Sequence, residues 1–494
     1  MNHDGNSTTR PVVVLTGATG YVGGLILEPL THVASEVRCL TRDPSKLHGS
    51  IPAGAVVLRA DLASGEGVEA ALRGADIAYY LVHSLDETGD FAQLEERSAR
   101  NFADAARRGG VRTIIYLGAL GTAPPGEASE HIESRSKVGE ILKSSGAQVI
   151  EFRSAIVIGA SSMPFEVIRA LVERLPVMVT PRWVNMPVQP IASRDLAAYL
   201  LAAVNPPRPG NHVYEIAGGE VVSFRAVMRT YGRARRLRRL MIPVPVVTPS
   251  LSSWWLRLVT PARYRIARRI VDGIKHGPVQ RDRQSLIDFE VRPMKVKAAI
   301  DGALADETSR LRFLSHGRLA PVTPRKSAIA RWRDGNVIVE RRSRFIRADR
   351  TRVFGAIARI GGETGWYSFG FLWRLRFAMD RVVAGVGGRR RARKPGVPVS
   401  GDTVDLWTVL ECKAPVRLRL RADMRLPGRA WLQLEATEAE GGCVLTQTAA
   451  FDPKGLLGLL YWWLLYPVHA MVFGGMLSGL ERFVMLEMQD TPAR

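Results

Sequence analysis

Cysteine is scarce in this chain of 494 residues. Cys39, Cys412 and Cys443 form an odd, scattered set without metal-ligand spacing. They offer no disulfide framework and no metal site, and they fit a reducing, cytoplasmic compartment. The first ten residues, MNHDGNSTTR, carry no apolar run, so no cleaved secretory leader is expected. No repeat at solenoid periods is evident. Lysine is the other shortage: of 69 basic residues only ten are lysine, against 47 acidic ones, for a net charge of +22. Excess arginine is compatible with a composition bias and assigns no role by itself. The charge admits anionic partners such as a phosphorylated cofactor or membrane lipid. Nucleic acid is not expected, because no reading motif appears and the aromatic residues do not interleave with the basic runs.

What is present describes an ordinary globular protein, 46% apolar and 23% charged, and too long for one core. Near the start, Val12–Leu15 reads as a buried strand. A turn of small residues follows, then Val22, Leu25, Ile26 and Leu30 at helical spacing. Gly17 suits the tight strand-to-helix turn, Gly20 a close approach to a pyrophosphate, and Gly23 the packing of helix on strand. Thr19, Tyr21 and Val22 complete this candidate phosphate loop, whose helix start offers free N–H groups to phosphates.

The second strand, EVRCLTR, ends in Thr41 and Arg42 instead of an acidic residue for a ribose hydroxyl. A guanidinium there suits a 2′-phosphate, so NADP is expected over NAD; the alternative is a solvated surface arginine. A third strand ends in Asp61-Leu62, which would flank the adenine. A fourth, ADIAYYLVHS, ends in Val82, His83 and Ser84, and a fifth is VRTIIYLGAL. Helices are expected at roughly 66–73 and 91–109. Alternating strands and helices predict an α/β, Rossmann-like, doubly wound parallel sheet with its ligand at the C-terminal strand ends. His83 is then either a proton carrier or a hydrogen-bonding wall beside the cofactor.

TGATGYVGG, Asp61-Leu62, YYLVHS, IIYLGAL and the helix around Lys137 together resemble the short-chain dehydrogenase/reductase superfamily, in its atypical, NmrA-like or epimerase-like NAD(P)H-binding branch. The resemblance covers about residues 11–306, with a substrate-side segment at about 160–300. It implies a hydroxyl at the end of the fifth strand, a Tyr acid/base, and a Lys four residues on that binds the nicotinamide ribose. The fifth strand here ends in Gly118-Ala119-Leu120, and Glu133 stands four residues ahead of Lys137. Glu133 and Lys137 share a helix face as an ion pair, or Glu133 is a carboxyl acid/base tuned by the lysine. His83, Ser134 or Ser136 are the other proton donors to consider.

Within the middle segment, 205–260, HVYEI falls in a turn-rich stretch. Arg229–Arg239 is a basic face, and the apolar, proline-rich segment with Trp254 and Trp255 is a binding wall or an interdomain contact. A linker is expected at 307–337. From 338 to 490 the order is a strand, a helix around Arg350–Arg359, a helix and basic loop (Arg389–Lys394), four short strands with a hairpin at Gly441-Gly442, and a long apolar segment. This order resembles the START/polyketide-cyclase-like α+β helix-grip fold, which implies an apolar ligand cavity under the last helix. Residues 455–480 carry no Asp, Glu, Lys or Arg. They form that grip helix, or a single membrane span, or a peripheral membrane contact.

Two function classes follow. One is an NAD(P)H-dependent oxidoreductase acting on a hydrophobic carbonyl, quinone or lipid-like compound. The other is a non-catalytic NADP(H)-binding sensor or assembly protein whose C-terminal domain binds a lipid or partner.

Overall fold

The computed structural model describes residues 10–47, 51–83, 91–121, 130–244, 277–306, 328–334, 336–372 and 396–490. Ser84, Trp254, Trp255, most of the expected linker and the Arg389–Lys394 loop lie outside the described residues. The chain divides into two compact units, Met1–Val172 with Pro176–Arg310, and Glu173–Leu175 with Leu311–Arg494.

In the first unit seven strands form one parallel sheet: β1 (Val12–Thr16), β2 (Glu36–Thr41), β3 (Ala55–Arg59), β4 (Ile77–Tyr80), β5 (Thr113–Ala119), β6 (Gln148–Ser154) and β7 (His212–Ile216). Their order is β7-β6-β5-β4-β1-β2-β3, every neighbour parallel. The chain reverses direction across the sheet between β1 and β4, which opens a crevice at their C-terminal ends.

Both sheet faces are covered, which is why these strands read as unbroken apolar runs. Val13 and Leu15 face a core shared with helices α1 (Tyr21–Val33) and Ser193–Ala202; Val14 faces the opposite core, with α2 (Val68–Leu72), α3 (Phe91–Gly109) and α4 (Glu130–Lys143). The segment HVYEI, expected as part of a turn-rich stretch, is instead β7, paired from His212↔Ile150 to Ile216↔Ser154. Its Tyr214 and Ile216 are buried and its flanking glycines end it.

The second unit is a seven-stranded antiparallel sheet: β8 (Ala328–Asp334), β9 (Val337–Ile346), β10 (Thr403–Val404), β11 (Trp407–Lys413), β12 (Arg417–Ala422), β13 (Gly428–Ala439) and β14 (Gly442–Pro453). The order is β8-β9-β14-β13-β12-β11-β10. Leu418 and Leu420 of β12 are buried on the face packed by helices Arg350–Ala358 and α5 (Gly455–Asp490). The intervening arginines point the other way, where Arg417 and Arg419 reach Glu411 at 2.8 and 2.7 Å. Helix α5 commits Met476, Leu477, Leu480 and Val484 to the core, and each such side chain stabilises the fold by about 2 kcal/mol.

Candidate functional site

The cleft at the strand switch is built first by backbone. Buried Thr16, at the end of β1, donates its hydroxyl to Tyr79 O (2.8 Å) and accepts the Leu81 N–H (3.0 Å), joining the ends of β1 and β4. Gly17 follows with φ +71°, a left-handed conformation, and a Cβ there would stand 2.9 Å from Leu81 O. Gly23 lies against the same turn, where a Cβ would stand 2.3 Å from Gly17 O. Gly20 begins α1 with no side-chain cap, and no acidic residue occupies the first turn. The N–H groups and positive dipole end of α1 are thus kept for an anion.

The cleft has a volume of about 570 Å³. Gly17, Thr19, Gly20, Tyr21, Val22, Gly23, Arg42, Asp61, Leu62, Val82 and His83 all line it. Arg42 sits just past β2. Its neighbour Asp43 caps the turn at Pro44–Lys46, accepting from the Ser45 N–H (3.1 Å) and hydroxyl (2.5 Å). Asp61 accepts the Ala63 N–H (2.9 Å), and Asn101 Nδ2 donates to Leu62 O (2.9 Å), which fixes the opposite wall.

At the inner end His83 Nδ1 is 2.8 Å from Glu95 Oε1. Glu95 comes from α3, is buried, and also accepts the Ser134 hydroxyl at 2.6 Å. Burial alone would raise its pKa, but the His83 hydrogen bond, the Arg135 charge and the Ser134 hydrogen bond hold it down at about 2. The buried Arg135 guanidinium lines the cleft, donating to Val82 O (3.2 Å) and to Leu117 O, with its centre 4.8 Å from the Tyr116 ring. It therefore ties the ends of β4 and β5 together. The Tyr116 phenol donates to Arg135 O (2.8 Å), and burial pushes its pKa far above the ordinary value. That phenol is a structural group and does not replace the missing acid.

Glu133 and Lys137 do not line this cleft; both are exposed. Lys137 Nζ pairs with Glu96 Oε2 of α3 at 2.5 Å, not along its own helix. The phase of α4 explains the placement. Ile132, Val138 and Leu142 turn inward, and Arg135, three residues before Val138, turns with them. That apolar spacing was the available signal for Arg135. For Glu95 the signal was its place between the inward-facing Phe91 and Phe102. Ser136 is half-buried and outside the cleft lining.

A parallel sheet, a glycine turn, an uncapped helix start and a cleft at the switch point define a dinucleotide-binding unit of Rossmann type. Residues 17–155 match a family described as NAD(P)H-binding, and residues 332–476 match one described as "Protein of unknown function (DUF2867)". Residues 17–155 are thus an NAD(P)H-binding domain. The chain is 32% identical over 133 residues to Quinone oxidoreductase 2 of Escherichia coli strain K12, covering 26% of this chain and 44% of that protein, so it spans under half the relative's length. It is 25% identical over 236 residues to the (4-alkanoyl-5-oxo-2,5-dihydrofuran-3-yl)methyl phosphate reductase of Streptomyces griseus, covering 46% and 77%. A solved structure of the NADPH-dependent quinone oxidoreductase QOR2 from Escherichia coli in complex with NADPH is similar at TM-score 0.49 and 18% identity, over 59% of this chain and 99% of that one.

Proposed function

We propose that the protein is an NADP(H)-dependent reductase of a hydrophobic carbonyl, quinone or lipid-like compound. The observation that carries this is the coincidence, in one cleft, of the glycine phosphate turn, Arg42, and a histidine held by an ionised buried carboxylate. The kinship of part of the first unit to a quinone oxidoreductase supports the same chemistry.

The nicotinamide, when bound, supplies a hydride. The α1 start and Gly17–Gly23 turn bind the pyrophosphate, and Arg42 favours the 2′-phosphate by charge and geometry. Glu95, ionised at neutral pH, accepts a hydrogen bond from His83 Nδ1–H and so favours the imidazolium form. His83 Nε2 is then the atom that releases a proton to the substrate oxygen. Arg135 keeps the β4 and β5 ends in register around that histidine. In the second unit, the packing of α5 against the antiparallel sheet is the arrangement a helix-grip fold would have.

The test is a titration of the full chain with NADPH and NADH, followed by a panel of quinones and aldehydes with loss of NADPH absorbance as the readout. The expected result is tighter NADPH binding, turnover of at least one compound, and a rate lost in His83→Asn with binding kept. NADPH binding without turnover across the panel leaves the cofactor-binding sensor instead. Absence of binding removes the site altogether.

A further inference from the structure

Helix α5 is long and apolar enough to cross a membrane by length and composition. Its fold uses are unequal along its length. The C-terminal half closes the core through Met476, Leu477, Leu480 and Val484. The N-terminal half puts Trp462 inside, stacked on Phe451 at 5.4 Å, with Leu459 and Tyr466 beside it. On its opposite side Leu456, Leu457, Leu460, Trp463, Leu464, Val468 and Met471 remain exposed. Leu457 is 75% exposed, Leu464 72%, Leu460 62% and Trp463 57%. Residues spaced three and four apart form one continuous stripe on a helix, and a stripe this apolar is not an ordinary water-facing surface.

The surroundings of the stripe are cationic. Lys454 precedes the helix. Arg425 is exposed next to Leu426, which packs against the helix beside Trp462, and Arg429 adjoins Ala430 of the same cluster. Arg331, on β8, is exposed and stacks over the Tyr466 ring at 4.6 Å, and Arg333 of the same strand is exposed. Glu340, the partner of Arg331, is buried. An apolar stripe with aromatic members and a basic rim matches the boundary between acyl chains and anionic headgroups.

We propose that this face of α5 docks the protein on an anionic lipid bilayer, with the helix lying along the surface. It does not span: the opposite side of the same helix is part of the protein core, and insertion would remove Met476, Leu477 and Leu480 from it. The stripe enters the acyl boundary while the arginines remain at headgroup level.

The test is flotation of the full chain with vesicles of phosphatidylcholine alone or with a minority of phosphatidylglycerol. Binding is expected to rise by about tenfold or more with the anionic lipid, to fall as salt is added, and to be released by carbonate washing. The combined Leu457→Gln, Leu460→Gln and Leu464→Gln variant should stay folded by circular dichroism and lose flotation. Arg333→Gln with Arg425→Gln should lose the anionic preference. Absence of flotation overturns the proposal, as does equal binding to both vesicles or retention that only detergent breaks. A dimer in sedimentation velocity that the leucine variant dissociates, without vesicle binding, assigns the stripe to a second copy and overturns it as well.

Discussion

His83 Nδ1 and Glu95 Oε1 lie 2.8 Å apart, one on the loop after β4 and the other on a buried turn of α3. The contact puts a buried carboxylate against the cleft histidine. Replacing Glu95 by Gln removes the charge that favours the imidazolium, so the alkaline limb of the kcat profile moves to lower pH. kcat at neutral pH should fall by about tenfold or more, with KM for NADPH little changed. An unchanged pH profile in Glu95→Gln would separate His83 from the proton transfer.

The same carboxylate contributes to stability. Its pKa in the folded protein is about 2 against an ordinary 4.5. The folded state thus favours the charged form, and the contribution is complete above the ordinary value and drains away as pH falls toward about 2. It amounts to at most about 3 kcal/mol. Urea unfolding of wild type and Glu95→Gln should differ most near neutral pH and converge in acid. A constant difference down to about pH 3 contradicts this.

Arg42→Ala should weaken NADPH binding by about tenfold to a hundredfold and leave NADH binding within about twofold, since the lost partner is the 2′-phosphate. Fluorescence titration with both cofactors measures it. Equal losses for both place the arginine elsewhere in the cofactor site.

Lys137→Ala should change stability by no more than about 0.5 kcal/mol, because its pair with Glu96 is solvent-exposed. Cofactor affinity should stay within about twofold of wild type. Arg135→Ala, which leaves two carbonyls and Glu95 without their cation, should cost about 3 kcal/mol and most of the cofactor affinity. Loss of NADPH binding in Lys137→Ala would show that the lysine reaches the cofactor after all.

Two glycines should respond with opposite signs. Gly23→Ala forces a Cβ to within 2.3 Å of Gly17 O and should destabilise the first unit by about 2 kcal/mol or more while abolishing binding. Gly302→Ala, in the helix Val296–Ala305 with nothing within 4 Å, should stabilise by about 0.5–1 kcal/mol. Thermal or urea unfolding reads both.

Much of the first unit was legible because its signals are local. A buried strand, three glycines and a helical phase are contained in about twenty residues, and they place the phosphate turn before any tertiary contact is known. Lys137 shows what local spacing leaves open. A tyrosine-to-lysine interval was measured on the chain, but which side of α4 faces the cleft depends on Ile132, Val138 and Leu142 finding the core. That phase brings Arg135 inward. Strand β7 was hidden for a related reason: five residues between turn formers look like a loop until β6 offers an edge to pair with.

The sequence by itself determined that a parallel sheet would present a glycine turn to a phosphate, that Arg42 would stand at the end of the second strand, and that residues 455–480 would form an apolar element without charge. Only the tertiary structure decided which groups share the cleft with that turn. His83 and Arg135 line the cleft, Glu95 and Ser134 are hydrogen-bonded behind His83, and these four come from three segments; sequence spacing carries no information on how α3, α4 and the β4 loop converge. It also decided how the apolar helix is used, since one side meets the sheet and the other does not. Periodicity reports that a helix is apolar; packing partners determine which of its sides is covered.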